Sequence, residues 1–301
     1  MYIRLNITAA LLAGLLSCTI PAAFALEPTQ TQLTADVMDY DIESGEFSAS
    51  GNVVIVRGTL TLKADRGGAN SNTQKAHVDG NVHAFGEHEG EPLDAKCDLL
   101  ESDFSAPEGD YKMTGNVDAM FGTRILRSRT AWLKGRDFGA ENVTHFEDKS
   151  QNMVLACDVL DGNYDDVGVL AADASGTVHA VQRDEEKDSD LWCDKLVYDR
   201  GADTITATGK TRMHVIQKSG SVRDTDITAD KMVYAMSSGV VTATGNTKAL
   251  QDGRRISART IVYDTATGKI EARGTPRITV DLSKTENKGK PAPAAGKSAS
   301  K

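Results

Sequence analysis

The sequence predicts an all-β protein, an elongated stack of two sheets that is open at both ends. Two patterns carry this prediction. A small residue followed by a charged residue opens a strand eight times, at spacings of 29 to 36 residues, which is typical of a stacked array of about eight repeats of one unit. The next strand alternates apolar and polar residues with period two through a central glycine, and that period is β. The openings are Ala35-Asp36, Ala64-Asp65, Cys97-Asp98, Ser128-Arg129, Cys157-Asp158, Cys193-Asp194, Ala229-Asp230 and Ala258-Arg259.

Residues 1–25 have the features of a secretory signal peptide. A positive charge at Arg4 is followed by an apolar run at 9–16 and by the cleavage signature Ala23-Phe24-Ala25. We therefore expect the mature chain to be exported. A competing interpretation takes Leu15-Leu16-Ser17-Cys18 as a lipidation site, with Cys18 as an acylated first residue. The rest of the sequence has no apolar run long enough to span a bilayer.

The repeats fill residues 26–183, as copies 1–5, and residues 191–282, as copies 6–8. In each copy a strand rich in β-branched and aromatic residues, such as 227–234, is followed by a polar turn and by the strand with the glycine. A glycine inside a strand marks a bend or a bulge, so we expect each one at a corner where the chain passes from one sheet to the other. These glycines are Gly51, Gly80, Gly115, Gly176, Gly209, Gly245 and Gly274, and the fourth copy has Glu141-Asn142-Val143 instead.

Two further segments complete the order of elements. Residues 184–190 form a charged linker, interpreted as a solvated loop or as a hinge, so one continuous stack and two hinged halves both remain open. Residues 283–301 carry five lysines and one glutamate among Pro, Ala, Gly and Ser, a composition typical of disorder.

The cysteines Cys97, Cys157 and Cys193 occupy the small-residue position that alanine or serine takes in other copies. Cysteine behaves there as a small buried hydrophobe, and the spacings match no zinc pattern. The main interpretation is therefore core filling. A Cys157–Cys193 disulfide in an oxidising compartment is the alternative.

Composition and motifs exclude several function classes. The net charge of −9 argues against nucleic acid as a partner. No catalytic arrangement, phosphate loop or metal-ligand cluster stands out, so we expect no enzyme, no cofactor and no metal. The acidic stretch 85–91 is expected to be a solvated loop. One basic cluster either contacts lipid phosphates or is an ordinary solvated face; its members are Arg124, Arg127, Arg129, Lys134 and Arg136.

The inward face of the predicted stack carries small side chains. A packed sandwich needs bulky ones, but aromatic residues make up only 5% of the chain, and Ala and Gly occupy the inward positions nearest each corner. A narrow apolar trough would follow, with an acyl chain as its natural ligand; dry packing of the two sheets is the alternative. The candidate lipid-binding residues are Phe47, Ala49, Val53, Ile55, Val82, Met113, Val117, Phe121, Val178, Ala207, Met213, Val215, Ala243, Ala272 and Ile278.

The first copy contains a sequence motif that is repeated with variations along the chain. It consists of LTADVMDY at 33–40, then Phe47, GNVVIVRG at 51–58 and LKAD at 62–65. It resembles the OstA-like (LptA) family of lipopolysaccharide-transport proteins, from residue 33 to about residue 282. The resemblance implies a twisted β-jellyroll that carries lipopolysaccharide by its acyl chains across the periplasm. It also implies an inner-membrane LptC-like anchor, an outer-membrane LptD-like translocon and head-to-tail self-association, since neighbours in this family join strand to strand.

Two other classes remain as alternatives. A structural or adhesive cell-envelope β-solenoid without lipid cargo would need no seam of small residues. A glycan-binding or glycan-cutting solenoid would need exposed aromatic platforms or paired carboxylates in a groove, whereas Trp132 and Trp192 stand isolated in the sequence.

Overall fold

A computed structural model describes residues 31–88, 90–105, 110–165, 167–218 and 224–280. Within these ranges the chain forms eighteen β-strands and no helix, which confirms the all-β prediction. The strands are β1 (Thr31–Thr34), β2 (Val37–Asp41), β3 (Glu46–Arg57), β4 (Leu60–Asn70), β5 (Lys75–His88), β6 (Glu91–Asp103), β7 (Asp110–Phe121), β8 (Arg124–Lys134), β9 (Asp137–Asp148), β10 (Met153–Asp165), β11 (Gly168–Arg183), β12 (Lys187–Asp199), β13 (Thr204–Gln217), β14 (Thr225–Ala235), β15 (Val240–Gln251), β16 (Arg254–Asp264), β17 (Ile270–Arg273) and β18 (Arg277–Val280). The predicted signal peptide, the lipidation site at Cys18 and the segment 283–301 lie outside the described residues.

The strands form one antiparallel meander. From β4 to β15 each strand pairs with the strand before it and the strand after it. At each end a full-length strand pairs with two short ones: β3 with β1 and β2, and β16 with β17 and β18. The sheet is therefore open at both ends, as the sequence predicts.

Each full-length strand is interrupted at its corner. Between β3 and β4 the pairing passes from Ser50–Arg66 to Val53–Ala64, so two residues of β3 face one of β4, which is a β-bulge. Gly51 (φ +73°) and Asn52 (φ +49°) both have left-handed backbone, a conformation that glycine adopts freely and asparagine tolerates. The seven glycines predicted at corners all have positive φ. The predicted seam of corners is thus confirmed.

The aspartate of the strand opening completes the corner. Asn52 Nδ2 donates a hydrogen bond to Asp36 Oδ2 over 2.9 Å, and a Cβ on Gly51 would lie 2.9 Å from the Cβ of Asp36. The same arrangement recurs at Asp65, Asp98 and Asp230. Glycine is therefore needed for two reasons: the backbone has a positive φ, and the aspartate occupies the space that a side chain would need.

The fourth copy keeps its corner with other residues. Arg129 stands in the aspartate position and Glu141 in the glycine position, and Arg129 Nη2 lies 2.8 Å from Glu141 Oε2. Asn142 still has a positive φ of 50°, and the ladders on both sides of β9 shift register here. The seam therefore continues through this copy, with an ion pair in place of the Asp–Gly contact.

The corners divide the sheet into two limbs that face each other. Limb A is the half of each strand that includes 46–50 of β3 and 66–70 of β4, and limb B is the half that includes 53–57 and 60–64. A Cβ on Gly67 of limb A would lie 3.9 Å from Val53 Cγ1 of limb B, so the inward faces touch. The core between them takes its largest fully buried side chains from both limbs: Phe138, Leu160, Ile261 and Tyr263 from limb A, and Leu126, Phe146, Leu155 and Ile227 from limb B.

Two segments that were expected to be loops are largely strand in the structure. β11 ends at Arg183, β12 begins at Lys187, and Arg183 is the register partner of Asp188. The last four residues of the predicted linker 184–190 are therefore strand, and the hydrogen-bonded ladder continues without a break. Likewise, β5 extends to His88 and β6 begins at Glu91, so most of the predicted loop 85–91 is strand. The division into copies 1–5 and 6–8 stays a prediction.

Candidate functional site

The interior between the limbs is lined by small and medium side chains. Register places them in rows that run along the stack on either side of the seam, and neither row next to the corners contains an aromatic or a charged residue. On limb A this row is Ala49, Gly67, Val78, Leu100, Met113, Ala131, Ala140, Leu160, Ala174, Leu196, Ala207, Met232, Ala243, Ile261 and Ala272. On limb B it includes Val53, Ala64, Val82, Cys97, Val117 and Ser128.

The predicted lipid-binding residues all lie on inward rows. Their exposure varies with their place in the stack. The buried ones are Ala49, Val53, Val82, Val117, Phe121, Val178, Ala207, Met213, Val215 and Ala243. Phe47, Ile55, Met113 and Ala272 are half-buried, and Ile278 is 62% exposed because it lies on the edge strand β18. Their contact with lipid stays a prediction.

The interior is closed between β14 and β16. Ala243, Ile261 and Ile227 are fully buried, and the register partners of Ala243 are Met232 and Ile261. A larger side chain at position 243 would therefore meet these neighbours rather than a void. In this region the limbs would have to separate before a long apolar ligand could lie between them.

Hydrogen bonds join the limbs on the side opposite the seam. Gln251 Nε2 on limb B donates to the Gly268 carbonyl at the end of limb A over 3.0 Å and to Thr225 Oγ1 over 2.9 Å. Gln217 Nε2 on limb B lies 3.5 Å from the Tyr263 hydroxyl on limb A. Burial raises the pKa of the Tyr263 hydroxyl above its usual value. We call these five residues the latch.

Apolar inward residues are exposed at the two ends of the stack. Met38 and Tyr40 on β2 are 50% and 59% exposed, and Val280 on β18 is 47% exposed. Met38 and Tyr40 pair with the inward residues Ala49 and Phe47. The apolar interior therefore continues to both open ends.

The three cysteines are buried and free. Burial raises the pKa of Cys97 to about 11 and those of Cys157 and Cys193 to about 12. Cys157 lies on β10 and Cys193 on β12, with β11 between them. Two strand spacings of about 4.8 Å exceed the Cα separation of about 7 Å that a disulfide tolerates, so the Cys157–Cys193 disulfide does not fit this fold.

The basic cluster is largely paired with carboxylates. Arg124 Nε lies 3.3 Å from the buried Asp148, and Arg127 Nε lies 3.4 Å from Asp118. With Arg129 bound to Glu141, these three arginines have partners within the protein. This arrangement favours a solvated, internally paired face over a phosphate site.

Sequence reasoning missed the aromatic and histidine contacts on the outer faces. Trp192 stacks on His179 at 4.8 Å between ring centroids, and Arg212 lies 5.4 Å from its ring. These side chains lie on the consecutive strands β11, β12 and β13, where Trp192 is the register partner of both His179 and Arg212, so only the register brings them together. Over the described ranges, His, Cys, Asp and Glu form no group of three or more suited to a metal ion, and no helix there has the length and apolarity to cross a membrane.

Comparisons with known proteins relate this chain to a family and to solved structures. The model of the family described as "LptA/(LptD N-terminal domain) LPS transport protein" matches residues 32–117 and 98–269. A search of curated proteins gives no match. Among solved structures, the crystal structure of LptH, the LptA homologous periplasmic component of the lipopolysaccharide transport device of Pseudomonas aeruginosa, is similar at 18% identity and a TM-score of 0.37, over 44% of this chain and 98% of that one.

Proposed function

This chain belongs to the family of LptA and the LptD N-terminal domain, lipopolysaccharide transport proteins, and we propose that it carries lipopolysaccharide through the periplasm with the acyl chains enclosed between limbs A and B. The observation that supports this most is the pair of inward rows without charged or aromatic residues, which reach both open ends. The transport needs no catalytic residue, cofactor or metal.

Loading requires the limbs to move apart about the seam of corners. Separation exposes the inward rows to water, and acyl chains then replace the lost contacts at about 0.8 kcal/mol for each buried methylene. The latch joins the limbs by few hydrogen bonds, each with a net value of about 1 kcal/mol. A carrier that must release its cargo needs such weak closure.

The ends of the stack are the proposed sites of assembly. β1 and β2 at one end, and β17 and β18 at the other, each pair on one side only within the described chain, and free strand edges accept a further strand. The two ends differ, so contacts between copies are head to tail and propagate into an open filament. Docking on an LptC-like anchor and an LptD-like translocon would join the inner and outer membranes.

The lipid path is tested by photo-crosslinking at two neighbouring positions of β13. Val215 faces inward and is 1% exposed, whereas Ile216 is 40% exposed. A photoreactive residue at Val215 is expected to label lipopolysaccharide, and one at Ile216 to give only background. Equal labelling would contradict the proposal, as would mass spectrometry that finds no lipopolysaccharide with the purified protein.

Assembly is tested by proline scanning of β18. In an antiparallel edge strand, neighbouring N–H groups point alternately to the paired side and to the free edge. Of the two substitutions Ile278→Pro and Thr279→Pro, therefore, only one removes an N–H donor from the free edge. Light scattering is expected to show concentration-dependent oligomers that this one variant loses. A chain that stays monomeric at high concentration would leave only partners of other kinds at its ends.

A further inference from the structure

We propose that the outer face of limb A across β2–β9 is a groove that binds the lysine-rich segment 283–301 of a second copy of this chain. The groove has a volume of about 1400 Å³. It is distinct from the interior, because its floor residues alternate along each strand with the inward ones: Ser48, for example, stands between Phe47 and Ala49.

The floor of the groove is a row with one residue from each of seven neighbouring strands. Register pairs these residues in order: Asp39, Ser48, Gly68, His77, Glu101, Lys112 and Trp132. Six strand spacings of about 4.8 Å make this row about 29 Å long. An extended segment of about nine residues at about 3.3 Å each covers that length.

Two rings lie against the backbone of the groove at glycines. A Cβ on Gly68 would lie 2.6 Å from His77 Cε1, and one on Gly139 would lie 2.5 Å from Trp132 Nε1. Lys134 Nζ lies 5.9 Å from the centroid of the Trp132 ring. The indole therefore already accepts an ammonium group, which is the group that an incoming lysine offers.

The charge of the groove is complementary to that segment. Seven carboxylates and three lysines line it. Lys75 pairs with Asp103 at 3.3 Å and Arg129 with Glu141 at 2.8 Å, which leaves five carboxylates facing two lysines. Segment 283–301 has five lysines and one glutamate, and opposite potentials speed and orient such docking.

Chain geometry favours a second copy over the segment's own chain. β18 ends at Val280, eight strand spacings, or about 38 Å, beyond β9. A linker of 21 residues, the number from 281 to 301, with the dimensions of a random coil would have an average span of about 25 Å. In a head-to-tail stack, which this inference takes from the proposed function, β18 of one copy meets β1 and β2 of the next, where the groove begins. Docking of the segment would then add a second contact to each junction.

The binding site is tested with a synthetic peptide of residues 283–301. The full-length host carries Trp192→Phe, so that Trp132 is its only tryptophan, and its five segment lysines are changed to glutamine. Trp132 fluorescence is expected to report binding at about 20 mM salt that weakens at about 300 mM. The host with Glu101→Lys and Asp110→Lys is expected to bind about tenfold more weakly, whereas the matched control Glu185→Lys with Glu186→Lys, at the exposed turn after β11, leaves affinity about the same.

Three results of the peptide-binding experiment would overturn the inference. They are no peptide binding at low salt, equal weakening of peptide binding by both charge variants, or a response of Trp132 to lipopolysaccharide core oligosaccharide but not to the peptide.

Carbodiimide crosslinking of mixed isotope-labelled and unlabelled wild-type chains tests whether the segment binds a second copy or its own chain. Labelled–unlabelled links between the segment and the groove support a second copy. Links within one chain alone would refute it, and photo-labelling at Val215 would still show whether lipid transport stands.

Discussion

Replacing the corner glycine Gly245 by alanine is expected to destabilise the protein by two separable effects. The first is backbone strain, because Gly245 has φ +73°. The second is a clash, because the new Cβ would lie 2.9 Å from the Cβ of Asp230 and 3.0 Å from its Cγ. Gly253 offers a matched control, since its φ is +74° and no atom lies within 4 Å of a Cβ placed there.

The control measures the strain alone. Alanine with left-handed backbone costs about 1 kcal/mol, so Gly253→Ala is expected to lower the melting temperature by about 2–4 °C for a chain of this size. Gly245→Ala adds displacement of Asp230 and loss of its hydrogen bond from Asn246 Nδ2, at 2.9 Å. A total cost of about 3 kcal/mol corresponds to about 6–12 °C.

Thermal and urea unfolding of the two variants, followed by circular dichroism, measure the difference. Similar losses for Gly245→Ala and Gly253→Ala would refute the role of the aspartate in the corner. Retention of wild-type stability by Gly253→Ala would instead show that the strain term is overestimated.

Three further outcomes are expected. Arg129→Asp places a carboxylate opposite Glu141 and is expected to lower the melting temperature by a few degrees, at a cost of about 1 kcal/mol; adding Glu141→Arg should restore it. Gln251→Leu removes the hydrogen bonds to Thr225 and Gly268, so amide exchange in the turns of β13–β16 should rise, and unchanged exchange would contradict the latch. The buried thiols, with pKa values raised by burial, should resist alkylation at pH 8 until the protein unfolds. Because unfolded thiols ionise first, the free energy of unfolding should fall as the pH rises from about 9 to about 11, and a variant with all three cysteines changed to alanine should lose less.

Much of the fold could be predicted because each repeat carries a local sequence signal for its own corner. A glycine such as Gly51 with a small–Asp opening some sixteen residues earlier is a local signal, and period-two alternation fixes which side chains point inward. The prediction of a corner was weakest in the fourth copy, which lacks the glycine. The ion pair between Arg129 and Glu141 that replaces the Asp–Gly contact joins two strands, so no local pattern shows it. The linker was predicted too long because Lys187–Asp190 is polar in sequence but pairs with β11 in the sheet.

The all-β class, the seam and the inward face can be derived from the amino-acid sequence alone, since they follow from backbone conformation and from the alternation of neighbouring residues. Contacts between residues far apart in the chain became known only from the folded structure. It closed the interior with side chains from both limbs, placed β11 between Cys157 and Cys193, and brought Gln251 to the carbonyl of Gly268. It also placed Trp132 in the groove on the outer face of limb A. Such contacts depend on the register of strands far apart in the chain, and no local pattern of residues encodes them.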